Sequence, residues 1–247
     1  MPRPRYRIRY RKVDDLRFVG HQDLVRTWDR VLRRADVKAA MSEGFHPRPR
    51  LNFPSALAVG IAGVDEVLEL ELIDPIEPAE LTAILSAHLP PGLSIASVEP
   101  IGDATRFSQP ATARYELPLP QERVAAVRER IAAWQSAESA AERLPDTVMA
   151  IDVVDDVLQM DLRLGEAGAV RPRDVLFRLE AADVEASGAT LTRTRVEVRT
   201  TLPPPAPQRK PNISDQEDSP SDSLADATVG PVAAEASAQT DSNVGNN

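Results

Sequence analysis

Residues 5 to 13, RYRIRYRKV, alternate without a break, placing Tyr6, Ile8 and Tyr10 on one side and Arg5, Arg7, Arg9 and Arg11 on the other. Successive side chains point to opposite faces only in an extended chain, so this segment is a strand with one apolar face and one row of guanidinium groups. Such a row calls for opposite charge. Left unpaired it makes a surface for an anionic ligand; paired, it makes a salt-bridge ladder or the floor of an interface within the fold.

The periodicity that follows gives the row a setting. In GHQDLVRTWDRVLRRAD, residues 20 to 36, Leu24, Trp28, Val31, Leu32 and Ala35 recur at helical spacing, which predicts an amphipathic helix with Trp28 in the core. A second strand is expected within residues 50 to 58 and a third in DEVLELELI, residues 65 to 73, with Leu68, Leu70 and Leu72 inward. A helix from about Pro78 stops at the PPG of residues 90 to 92, and LSIASVEPI, residues 93 to 101, closes the set as a strand.

The order βαββαβ then recurs. TARYELPLP (112 to 120) reads as a strand, residues 120 to 144 as a long helix, TVMAIDVVD and VLQMDLRLG as strands joined at Asp155 and Asp156, RPRDVLFRLEA (171 to 181) as a helix, and residues 189 to 201 as a last strand. Two such sets predict an α+β protein of two tandem ferredoxin-like units with antiparallel sheets of order 4-1-3-2. The expected divisions are unit one at 1–101, a linker at 102–111, unit two at 112–202 and a disordered acidic tail at 203–247. The tail has many Pro, Ser, Asp and Ala residues and no aromatic side chain, so it cannot bury enough apolar area to offset its ordering entropy. In each unit the helices cover one sheet face, so the arginines of the first strand fall on the other, within reach of Glu69 and Glu71 of strand three.

SEGFHPRPRLNFPSALAVG, residues 42 to 60, fits none of these elements. Pro47, Pro49 and Pro54 fix φ and push their predecessors toward extended backbone, which predicts a stiffened loop feeding a short strand. Gly44 and Gly60 are expected at turns with positive φ. A braced loop carrying Phe45, His46, Arg48 and Arg50 holds chemically active groups in fixed directions, and loops on a rigid scaffold are where binding residues concentrate.

The formal charge of −9 is segregated: residues 1 to 54 carry +8, residues 55 to 202 carry −12 and residues 203 to 247 carry −5. A basic first fifth points to an anionic ligand such as nucleic acid or phosphate; the competing reading is that the basic and acidic parts neutralise each other inside one fold. Base stacking by the sheet is disfavoured because Tyr6 and Tyr10 lie on the helix side. The expected contacts are therefore Arg26, Arg30, Arg33 and Arg34 on the polar side of the first helix, with Phe45, His46, Arg48 and Arg50 in the loop. Phosphate contact would dominate such an interface.

The absence of cysteine excludes disulfides, thiolate metal sites and a cysteine nucleophile. There is no phosphate-cradling glycine motif. The basic N-terminus has no apolar core of signal-peptide length, and no window approaches a membrane span, which predicts a cytoplasmic protein without membrane contact.

LRFVGHQDLVRTWDRVLRRA, SEGFHPRPRLNFPSALAVG and DEVLELEL together resemble the radical SAM-associated family, a domain of unknown function found fused to, or encoded near, B12-binding-type radical SAM proteins. The resemblance is close over residues 5 to 73, weaker to about 200 and absent from the tail. It implies an accessory role beside a radical SAM protein on a separate chain, since cluster-binding cysteines are lacking here. No cofactor of this chain's own is expected.

Two histidines open a different reading. His21 begins the first helix, with Asp23 two residues on, and His46 sits in the stiff loop. If the two regions converge, His21, His46 and Asp23 would form a polar site for acid/base chemistry in a stand-alone RNA-processing enzyme; their spacing is no compact metal motif. Taken singly, His21 is an ordinary helix-start residue and His46 a packing residue between Phe45 and Pro47. His88 is expected at the surface. The alternatives are thus an accessory module presenting an RNA-like substrate or docking a radical SAM protein, an enzyme using His21 and His46, and a purely protein-interacting module.

Overall fold

The alternating segment forms strand β1 (Arg5–Lys12), with Tyr6, Ile8 and Tyr10 all buried. The computed structural model describes residues 3–102, 107–137, 139, 143, 145–165 and 168–200. The tail expected at 203–247 lies outside the described residues.

After a 3-10 turn at Asp14–Phe18 comes helix α1 (His21–Arg34), which buries Leu24, Trp28, Val31 and Leu32 and leaves its arginines on the outer side. Asp23 in its first turn and Arg33 and Arg34 in its last complement the helix dipole. Strand β2 (Leu51–Asn52) and strand β3 (Ala62–Glu71) follow, then helix α2 (Pro78–Ser86), with proline at its first turn, and strand β4 (Leu93–Ile101). Tyr6, Ile8, Tyr10, Leu68, Leu70 and Leu72 pack against α1 and α2 as one core. Trp28, wholly buried, meets Tyr10 edge-to-face at 5.5 Å between ring centroids.

The second set comprises strand β5 (Gln109–Pro118), helix α3 (Gln121–Ser136), strands β6 (Val148–Val154) and β7 (Val157–Arg163), helices α4 (Pro172–Arg178) and α5 (Ala182–Ala186), and strand β8 (Thr192–Arg199). The β6–β7 hairpin turns at Asp155 and Asp156, whose φ values of 48° and 61° are those of a type I′ turn. A second core gathers Tyr115, Leu117, Leu158, Met160 and Leu162 under α3 and α4, and it takes in Leu57 and Ile61 from the segment before β3.

Among the described residues, the eight strands belong to one mostly antiparallel sheet, β4-β1-β3-β8-β5-β7-β6, with β2 also on β3. Within each set the pairing runs in the expected sense: β1 lies between β3 and β4, and β5 between β7 and β8. A short parallel pairing of β3 with β8 at Ala62 and Gly63 joins the sets. No helix among the described residues is long and apolar enough to cross a membrane.

Several boundaries differ from expectation, for reasons of tertiary contact. Strand β2 is two residues long because Pro54 ends it and the Ser55 carbonyl and hydroxyl accept from Arg193 at 3.1 and 2.9 Å. Strand β3 spans 62–71 instead of 65–73, and β5 begins at Gln109, inside the stretch expected as linker. The helix expected over 120 to 144 gives way at Ala137, which is extended, and some of its later positions lie outside the described residues. The helix expected over 171 to 181 is interrupted at Glu180, whose φ of 55° is held by the bond from Ala181 N–H to Leu176 O at 2.9 Å.

Candidate functional site

Three arginines of the β1 row, Arg5, Arg7 and Arg9, are occupied, while Arg11 is exposed near the end of the strand. Arg7 donates to Glu69 Oε1 at 3.0 Å, Arg9 to Asp65 Oδ2 at 2.6 Å, and Arg5 Nη2 lies 3.6 Å from Glu69 Oε2. Residues of the second set cross the same face: Arg7 also donates to Ser108 Oγ at 2.8 Å and Thr200 Oγ1 at 2.7 Å, and Arg9 to the Val196 carbonyl at 3.3 Å. The Arg5 guanidinium rests over the Phe107 ring at 4.2 Å. Glu69, fully buried, accepts in addition from the Ser108 N–H at 2.8 Å, the Ser108 hydroxyl at 2.6 Å and Asn52 Nδ2 at 3.3 Å. Burial alone would raise its pKa, but the Ser108 and Arg7 hydrogen bonds outweigh it and hold Glu69 below the usual carboxylate range.

A second buried pair lies near the β3–β8 junction. Arg193 grips Glu66 through two nitrogens and also meets Ser55 and Tyr115. Burial opposes its charge, yet Glu66 keeps the Arg193 pKa above the ordinary arginine value. Burial, reinforced by Glu66, pushes the Tyr10 hydroxyl well up. Lys12, almost wholly enclosed, donates to the Val19 carbonyl at 2.7 Å, and burial lowers its pKa. A recess of about 490 Å³ opens beside Arg193, but that charge is spent on Glu66 and the lining is mainly apolar.

The outer face of α1 is different. The chain leaves the sheet after Ala40 and returns at Arg50, whose N–H donates to Ala40 O at 2.7 Å, while Met41 and Pro49 pair across the neck of the excursion. Inside it, Ser42 N–H donates to Arg48 O at 2.8 Å, Arg48 N–H donates to Ser42 Oγ at 3.0 Å, and Gly44 takes a φ of 122°. These bonds and Pro47 and Pro49 brace the loop with Phe45 fully exposed at 101%. Between the loop and α1 is a recess of about 610 Å³ lined by Arg26, Arg33, Phe45, His46 and Arg48, with Asp29 also on its wall.

Thus the stiff loop and the first helix do converge, but not with every expected residue. Arg26 is paired with Asp23 at 2.9 Å and Arg33 with Asp29 at 2.9 Å; both pairs are exposed i,i+3 or i,i+4 pairs of the kind worth about 0.2–1 kcal/mol. Arg48 has no ion pair among the described residues. Arg50 lies apart, 3.4 Å from Glu71. Arg30 and Arg34 line another recess, of about 400 Å³, together with Asp23, Thr27 and His88. His21 lines neither recess; its ring meets Phe53 edge-on at 5.3 Å. Of the three residues of the acid/base reading, His46 lines the first recess, Asp23 the second, and His21 neither.

Sequence reasoning missed Asp29 as the wall carboxylate, Ser108 as the partner of Glu69, and His88 as a recess residue. Asp29 was the most accessible of these, since it stands four residues before Arg33 on a helix.

With this geometry in place, the comparisons give a family. Residues 5–179 match the model of DUF2344, an uncharacterized protein family conserved in bacteria, and the chain belongs to that family. No curated protein matches it. Among solved structures it is similar to an unknown protein from Galdieria sulphuraria, at 13% identity and a TM-score of 0.23, over 81% of this chain and 99% of that one.

Proposed function

We propose that this member of the DUF2344 family is a non-catalytic binding module that holds an anionic, RNA-like strand in the recess between α1 and the 42–50 loop, for presentation to a separate radical SAM protein. One observation carries the reading: a fully exposed phenylalanine on a braced loop stands beside Arg48, His46, Arg26 and Arg33. A ring kept in water forgoes burial worth about 1.5–3 kcal/mol, and single-stranded nucleic acids stack their bases on such rings while arginines take the phosphates. The weak, exposed pairs to Asp23 and Asp29 exchange for phosphate at little cost.

The finer architectural reading is of two ferredoxin-like units, 1–101 and 112–202; what supports it is the βαββαβ order of each set. The link to radical SAM chemistry rests on the sequence resemblance. The two-histidine enzyme gains no support, because His21 and His46 do not share a recess.

The test is binding of transfer RNA to the full chain over a salt series. Affinity is expected to fall steeply from low to physiological salt, as counterion release requires. No binding, or binding indifferent to salt, overturns the reading and leaves protein docking as the function.

A further inference from the structure

The arginines of α1 divide between two recesses, and the division follows from helix geometry. Arg26 and Arg33, seven residues apart, lie on nearly the same line along the helix and face the loop. Arg30 stands about 60° and Arg34 about 100° around the axis from Arg33, and both line the adjoining flank, toward Leu16, Val19, His88 and Pro90. The two flanks share their charged residue types, although Phe45 belongs to the loop side alone. Each offers guanidinium groups, one histidine and apolar side chains: Val25, Pro47 and Leu51 on the loop side, Leu16, Val19 and Val31 on the other. Each also holds an arginine with no ion pair among the described residues, Arg48 on one flank and Arg34 on the other. The carboxylate on the second flank, Asp23, is engaged by Arg26 at 2.9 Å.

We infer that one single-stranded polyanion straddles α1, setting phosphates on Arg26, Arg33 and Arg48 on one flank and on Arg30, Arg34 and His88 on the other. This rests on the proposed function and specifies its ligand: a strand long enough to cross a helix about 10–12 Å wide with its side chains. A dinucleotide reaches one flank. A longer oligomer reaches both, and the helix ridge acts as a saddle.

The experiment uses the full chain and uridine homopolymers graded from a dinucleotide to a dodecamer, each titrated at several salt concentrations. Exposed Arg→Gln changes remove the charge while keeping a polar side chain and leave the buried faces untouched, and circular dichroism verifies that the fold is retained. For the dodecamer, the double variant Arg30→Gln/Arg34→Gln is expected to lower the slope of log affinity against log salt by about 1.4, at about 0.7 per phosphate contact on a single strand. Arg26→Gln/Arg48→Gln is expected to lower it by a similar amount, and the dinucleotide is expected to respond to one pair of changes alone. Wild-type affinity and slope for the dodecamer in the Arg30/Arg34 variant, with loss in the Arg26/Arg48 variant, would overturn the saddle and leave the single-recess function standing. Failure of the wild-type protein to bind any length in a salt-dependent way would remove the function itself.

Discussion

Two groups of arginines in one short stretch of chain meet opposite fates. Arg5, Arg7 and Arg9 of β1 sit on a sheet face that Ser108, Val196 and Thr200 cover, and Glu69 and Asp65 answer their charge. Those of α1 and Arg48 of the loop stand in solvent, either without an ion pair among the described residues or in pairs loose enough to exchange; the Arg26–Asp23 side chains are 70% and 63% exposed. The lesson is that charge density does not identify a binding surface. What separates cations committed to the fold from those free to meet a ligand is whether the carboxylate partner is buried and saturated, as Glu69 is, or exposed and replaceable, as Asp23 is.

The largest effect that can break this comparison is on stability. Glu69→Ala leaves Arg7, the Ser108 N–H and Asn52 without their acceptor in a closed space, and is expected to cost about 3–5 kcal/mol in urea unfolding. Arg48→Ala is expected to stay within about 0.5 kcal/mol of the wild type. Equal losses in the two variants would erase the distinction.

Next comes ligand affinity. Phe45→Ala is expected to weaken single-stranded RNA binding by about 1–3 kcal/mol, about five- to 150-fold, without shifting the unfolding midpoint. A dependence on acid follows from the β1 side. Because Glu69 is held below its unfolded pKa of about 4.3, its contribution to stability is fully present above that value and is lost as pH falls through the lower, folded value. Denaturation of Glu69→Gln between about pH 5 and pH 2 is therefore expected to show a flatter profile than the wild type. The smallest effect is a gain: Asp29→Asn releases Arg33 and is expected to tighten RNA binding by less than about 1 kcal/mol, seen as a few-fold drop in Kd at low salt.

How much of this was legible in the sequence depends on the range of the interactions. Strands β1 and β3 and helix α1 are written in local alternation and helical spacing, and Leu68, Leu70, Leu72 and Trp28 are buried as that pattern requires. The Asp155–Asp156 turn was equally plain. The cut in β2 was not, because it depends on Arg193 reaching Ser55 from 138 residues away. The break before α5 depends on a left-handed Glu180 that no glycine announces. At the site, the prolines foretold a braced loop against α1, but the division of Arg26 and Arg33 from Arg30 and Arg34 needed the positions of the flanking elements. That β1 was paired was one of two readings, and Ser108, 39 residues beyond Glu69, is the partner that decides between them.

The most direct measurement is amide chemical-shift mapping of the full chain during titration with a uridine dodecamer at low salt. The account predicts shifts along α1 and through residues 42–50, with β1 and its Glu69 partners unmoved. Shifts centred on β1, or on the exposed strand face of β5 and β7 with α1 silent, would contradict it.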